Sequence, residues 1–178
     1  KFEIGTDAQG RLTVTIGADT YTSVKALPRN KWIYLTTSYA TGAQPLLQAA
    51  YADANTDEVL FRDEPVCAYN GQGKLAVGLG AKGALHELTL WDEAHDLTTA
   101  LLNKSKTKQP ATPHLIGYWK MDEGEGTVAT DYVRNRHLRM GAESWKLDND
   151  NLAASLDGTS HLDILTSAVS PLADDNCA

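Results

Sequence analysis

Apolar and polar residues alternate with a period of two over much of the first ninety positions. Leu12-Thr13-Val14-Thr15-Ile16 is the clearest case, with aliphatic side chains on one side and threonines on the other. That is the pattern of a strand with one buried face. Phe2-Glu3-Ile4-Gly5-Thr6 precedes it, and the polar turn Asp7-Ala8-Gln9-Gly10 lies between them, which predicts a β-hairpin. A short strand is expected over Tyr21-Thr22-Ser23-Val24, before a turn at Leu27-Pro28-Arg29-Asn30. Trp32 to Tyr39 is dense in aromatic and β-branched residues and reads as the strongest strand. Leu46 to Tyr51 and Glu58 to Phe61 follow as strands, separated by the turn residues Asp53-Ala54-Asn55-Thr56-Asp57. Residues 63–73 read as a longer loop, and Leu75 to Gly80 and Gly83 to Trp91 as two more strands.

One helical segment interrupts this series. Asp96 is placed to cap a helix over 96–104 that contains Leu97-Thr98-Thr99-Ala100-Leu101-Leu102. Lys104 to Pro113 is rich in Lys, Thr and Pro, has no apolar period and reads as a linker. Many short strands spaced by roughly 8–12 residues predict an all-β sandwich or barrel.

Composition narrows the function classes. An apolar fraction of 42% over 178 residues supplies a core for one domain. The net charge of −7 argues against a nucleic-acid partner, which needs a basic face. No apolar run approaches the roughly 18 residues of a membrane helix. No basic-then-apolar leader opens the chain, which starts at Lys1 and reads as a fragment or a processed chain. Cys67 and Cys177 allow one bridge in an oxidising compartment, or two separate thiols.

The second half carries the most specific motif. It reads Gly117-Tyr118-Trp119-Lys120-Met121-Asp122-Glu123-Gly124-Glu125-Gly126-Thr127, then Ala129-Thr130-Asp131, and later Leu156-Asp157-Gly158 through Ile164. This run resembles the opening of laminin G-like (concanavalin A-like) jelly-roll domains. The first half resembles their closing portion. Phe2-Glu3-Ile4-Gly5 with Gly10-Arg11-Leu12 looks like the mid-domain hairpin, and Asn30 to Leu35 like the tryptophan strand after it. Ala50-Tyr51-Ala52-Asp53-Ala54 looks like the "L-Y-V-D-G" element, and Leu85 to Trp91 with its helix looks like the terminal strand. The motif order is therefore rotated relative to the family.

The resemblance implies a concanavalin A-like jelly-roll β-sandwich of antiparallel strands with one short helix near 96–104. Residues 1–178 would form one sandwich, with closing strands in 1–108, a linker at 109–114 and opening strands in 115–178. The alternative is the boundary between two tandem laminin G-like domains. The resemblance implies a non-catalytic binding or adhesion module, extracellular or at the cell surface. Its partners would be a glycan or an extracellular protein, and neighbouring domains of a larger chain. A structural spacer, or an accessory domain of a carbohydrate-active or proteolytic enzyme, are the alternatives.

The resemblance also implies a structural Ca²⁺, with Asp131, Asn135 and Glu87 as the candidate ligands. Calcium takes six to eight hard oxygens, which carboxylates and carbonyls supply. The chain departs from the family here: Val133-Arg134 stands in place of Ser-Gly, and His86 in place of Asp. No catalytic constellation is expected. The best carboxylate pair, Asp122-Glu123, sits in a glycine-rich turn, no G-x-S-x-G elbow is present, and the five histidines lack zinc spacing. For ligand contact, Trp32 and Trp119 lie in strong strands and read as core. Trp145 and Tyr69, with Asn70 beside it, are the surface candidates.

Overall fold

The structure, a computed structural model, describes residues 2–69, 76–78, 81–106, 108–140, 145–148, 151–159 and 161–164. Every strand pairing among the described residues is antiparallel. The chain divides into two compact units. The first takes residues 1–71 and 93–107, and the second takes 72–92 and 108–178.

The first unit has two three-stranded sheets. One is β1 (Phe2–Thr6), β2 (Arg11–Ile16) and β3 (Asp19–Ala26); the other is β4 (Tyr34–Ala40), β5 (Leu46–Ala52) and β6 (Asp57–Pro65). The hairpin expected at the start is present, with Phe2 opposite Ile16 and Thr6 opposite Leu12. Its turn is closed by the Asp7 carboxylate, which accepts the N–H groups of Gln9 at 3.0 Å and Arg11 at 2.9 Å. The alternation along β2 then does what the sequence implies. Leu12, Val14 and Ile16 are fully buried against Leu47, Ala49 and Phe61 of the second sheet. The helix α1 (Leu97–Leu102) packs on β4 and β5, burying Leu97 and Ala100. Asp96 caps it by accepting the Thr99 N–H at 2.9 Å.

Two boundaries differ from expectation. The fourth strand starts at Tyr34 rather than Trp32. Asn30 is in the left-handed region at φ 58°, and the half-buried Trp32 belongs to the bend that follows. β6 runs on to Pro65, where a loop was expected. Arg62, Asp63 and Glu64 are exposed on this edge strand, so their charges stay in water while the backbone still pairs with β5.

Among the described residues, the second unit has three sheets around one core. Its strands are β7 (Ala76–Val77), β8 (Lys82–Leu85), β9 (Leu88–Trp91), β10 (Leu115–Trp119), β11 (Val128–Ala129), β12 (Leu138–Met140), β13 (Trp145–Asp148), β14 (Asn151–Asp157) and β15 (Leu162–Ile164). They assemble as β11-β12-β15-β7, β13-β14-β8 and β10-β9. Trp119, Met121, Leu138, Met140, Ala154, Leu156 and Leu162 are buried together, with Leu85, Leu88, Leu90 and Trp145 packed on them. The single strand expected over 83–91 is broken in two. Glu87 sits at φ 61°, a left-handed corner that sends β8 and β9 into different sheets.

In this unit β9 pairs with β10, placing Tyr118 opposite Thr89 and Trp119 opposite Leu88. β8 pairs with β14, and β7 with β15. The fold is thus all-β, with its short helix in the first unit.

Gly117 has a steric reason to be glycine. The Trp119 indole folds back along β10, and a Cβ at Gly117 would overlap the far edge of that fully buried ring. Gly117→Ala is expected to cost about 3 kcal/mol by overpacking. At about 2–4 °C per kcal/mol, the thermal midpoint falls by roughly 6–12 °C. An unchanged midpoint in scanning calorimetry would show that the indole has room elsewhere.

Candidate functional site

Trp119 and Met121 are both fully buried in the core of the second unit. Strand alternation sends Tyr118 to the side of β10 opposite Trp119; the strand ends there, and Met121 at φ 61° turns the chain between Lys120 and the exposed Asp122. The Tyr118 ring meets Tyr132, with centroids 6.1 Å apart and planes inclined by 50°. Lys120 Nζ lies 4.7 Å from the Tyr132 ring centroid, a cation–π contact. Tyr132 is 39% exposed, the most open of the aromatic residues described. Burial pushes the Tyr118 phenol up, and the Glu87 and Asp122 carboxylates add to this because a phenolate near them is disfavoured.

Glu87 borders the cluster. Its N–H donates to the Lys120 carbonyl at 2.9 Å. Its carboxylate accepts from Lys108 Nζ at 2.5 Å, and the Lys108 side chain is only 4% exposed. Tyr118 thus contacts Tyr132, Lys120 lies over Tyr132, and the Lys108–Glu87 pair adjoins Lys120 through the Glu87 N–H.

Asp131 fixes this arrangement from behind. It bridges Trp119 across the other edge of β10. Its Oδ1 accepts the N–H groups of Tyr118 and Val133, both at 3.0 Å. Its Oδ2 accepts those of Arg134 and Arg136, both at 3.1 Å. The Asp131 N–H donates to His137 Nδ1 at 3.1 Å, and the Tyr132 N–H to the Tyr118 carbonyl at 2.9 Å. One fully buried carboxylate thus winds residues 131–136 into a fixed loop and sets the backbone of Tyr132.

The residues assigned to calcium do not fit that ion in this arrangement. The Asp131 lone pairs face four N–H donors, and Glu87 faces the Lys108 ammonium. Asn135 is exposed, at φ 56°. Glu87 flanks one edge of β10 and Asp131 the other, so their backbones stand about two strand spacings, roughly 10 Å, apart. No group of three His, Cys, Asp or Glu side chains placed to hold a metal occurs among the described residues.

The aromatic candidates from the sequence, Trp145 and Tyr69, are both half-buried. The Trp145 indole packs on the core of the second unit, and its Nε1–H donates to the Gly126 carbonyl at 2.9 Å. Tyr69 packs on the core of the first unit beside Phe2, with centroids 6.3 Å apart, and its N–H donates to the Tyr39 hydroxyl at 2.9 Å. Burial pushes its phenol up. Asn70 lies outside the described residues, as does Cys177. Cys67 carries a free thiol that donates to the Ile16 carbonyl at 3.0 Å. Of the acidic pair at 122–123, Asp122 is exposed. Glu123 instead ties its own loop, accepting the Thr130 N–H at 2.7 Å.

Tyr118, Lys120, Asp122, Tyr132 and Lys108 were not singled out as site residues by sequence reasoning. For the first three the signal was present: Tyr118-Trp119-Lys120-Met121-Asp122 alternates polar-rimmed with apolar positions. No protein-family model, curated protein or solved structure matches the chain.

Proposed function

We propose that this chain is a non-catalytic recognition module of a secreted or cell-surface protein, built on a concanavalin A-like jelly roll, and that it binds a glycan on the Tyr132 face of its second unit. The observation that carries this reading is the exposed Tyr132 ring with the Lys120 ammonium 4.7 Å from its centroid and the Tyr118 ring packed beside it. A sugar presents an apolar C–H face and a rim of hydroxyls. An aromatic ring takes the first, and a neighbouring ammonium and carboxylate take the second as donor and acceptor. The Lys120 ammonium is offset by the exposed Asp122 two residues on, which favours an uncharged sugar over a polyanion. The secreted setting rests on the resemblance of the run from Gly117 to Asp131.

The test is a glycan array followed by calorimetric titration of the best binder. Tyr132→Ala is expected to weaken that binding about tenfold, a loss of about 1.4 kcal/mol. Because the ring is partly exposed, the variant should keep its fold by circular dichroism. Equal affinity in the variant would move the site elsewhere. Absence of any glycan binder would favour an extracellular protein ligand or the spacer reading.

A further inference from the structure

We propose that Lys108 is the resident cation of the second unit, its ammonium filling the structural role that a bound calcium ion holds in the domains this chain resembles. The proposal starts from burial. A lysine side chain that is 4% exposed must meet an anion, because a lone ammonium away from water is costly. Its acceptor is Glu87, one of the carboxylates that the resemblance assigns to the metal.

The location of the pair gives it a task. Glu87 is the left-handed corner between β8 and β9, a conformation that persists only where the surroundings impose it. Two contacts impose it: the Lys120 carbonyl on the N–H of Glu87, and the Lys108 ammonium on its carboxylate. Lys108 stands where the chain enters the second unit on its way to β10. The ion pair therefore ties that entering segment to the corner. A calcium ion would make the same kind of cross-link, from carboxylates on separate segments to one positive centre.

The other half of the implied metal site is neutralised from within too. Asp131, the second assigned carboxylate, is satisfied by the backbone donors of Tyr118, Val133, Arg134 and Arg136. The chain thus supplies one full charge at Glu87 and four oriented N–H dipoles at Asp131. The unit holds its corner and its loop with no demand for a divalent cation.

The test uses the full chain. Wild-type thermal unfolding is expected to keep one midpoint in EDTA and in calcium up to about 5 mM, above the range of weak extracellular calcium sites. Lys108→Met is expected to lower the midpoint by roughly 4–8 °C, since it strands a partly buried carboxylate. Glu87→Gln strands the ammonium and lowers it comparably. The double variant is expected to recover much of the loss, which is the signature of a charge pair rather than of independent packing. A saturable calcium-induced rise in the wild type, or strictly additive losses in the double variant, would overturn the proposal. Should either variant fail to fold, amine acylation of the wild type followed by mass spectrometry decides. Lys108 is expected to stay unmodified while Lys25, with a side chain 63% exposed, is acylated, and equal labelling of both would sink the idea.

Discussion

Residues 108–178 expressed on their own are expected not to fold. That fragment contains the whole opening-type motif, yet it lacks β7, β8 and β9. Without them β10 loses its partner, and β14 and β15 each lose a neighbour. The core loses Val77, Ala81, Leu85, Leu88 and Leu90. These side chains are partly buried, so each contributes less than the about 1.5–3 kcal/mol of a fully buried large aliphatic side chain. Losing all of them together with three strand pairings is comparable to the whole stability margin of a small domain, about 5–15 kcal/mol. Residues 72–178 restore every one of these strands and are expected to regain native structure. Amide proton dispersion in a heteronuclear NMR spectrum separates the two outcomes. A well-dispersed spectrum from 108–178 alone would mean that the closing-type strands are dispensable.

The second large effect is expected at a single side chain. Asp131→Ala removes the acceptor of four backbone N–H groups and leaves them around a site that is 1% exposed. Each unsatisfied buried donor costs about 1–3 kcal/mol, less where water can enter. A total near 4 kcal/mol is the reasonable expectation, at the upper end of single substitutions. At about 2–4 °C per kcal/mol this lowers the thermal midpoint by roughly 8–16 °C. Asp131→Asn keeps one acceptor oxygen and two of the four bonds, so about half the loss is expected. The order wild type, Asn, Ala in calorimetry checks the claim. A loss in Asn equal to that in Ala would show that one oxygen carries all of the effect.

The elements legible in the sequence were those whose burial comes from their own period. The β1–β2 hairpin, the strands from Leu46 and Glu58, and the Asp96-capped helix are all read from local alternation or local capping, and all are present. The breaks were not legible. Nothing in Leu85-His86-Glu87-Leu88 signals a left-handed glutamate, because the corner is imposed by Lys108 and Lys120 from other parts of the chain. Lys108 itself lies in a segment whose Lys, Thr and Pro content reads as solvated linker, and only its distant carboxylate explains its burial. The same limit applies to the candidate site. Trp119 was correctly legible as core, but Tyr132 follows an aspartate in an irregular loop with no periodicity to place it. Trp145 and Tyr69 had the composition of surface aromatics. Each packs against the core of its own unit, Trp145 through its indole N–H to Gly126 as well and Tyr69 through its backbone N–H to Tyr39.

The Asp131 loop has an implication for how this surface can diversify. The carboxylate grips positions 118, 133, 134 and 136 through main-chain N–H groups alone. The hub makes no demand on which side chains stand at 133, 134 and 136, and it rejects only proline, which lacks the donor. Under the proposed glycan reading, recognition and stability are therefore written in separate alphabets at the same place. Side chains next to Tyr132 are open to selection for different ligands, while the backbone that displays them stays under the control of one buried aspartate.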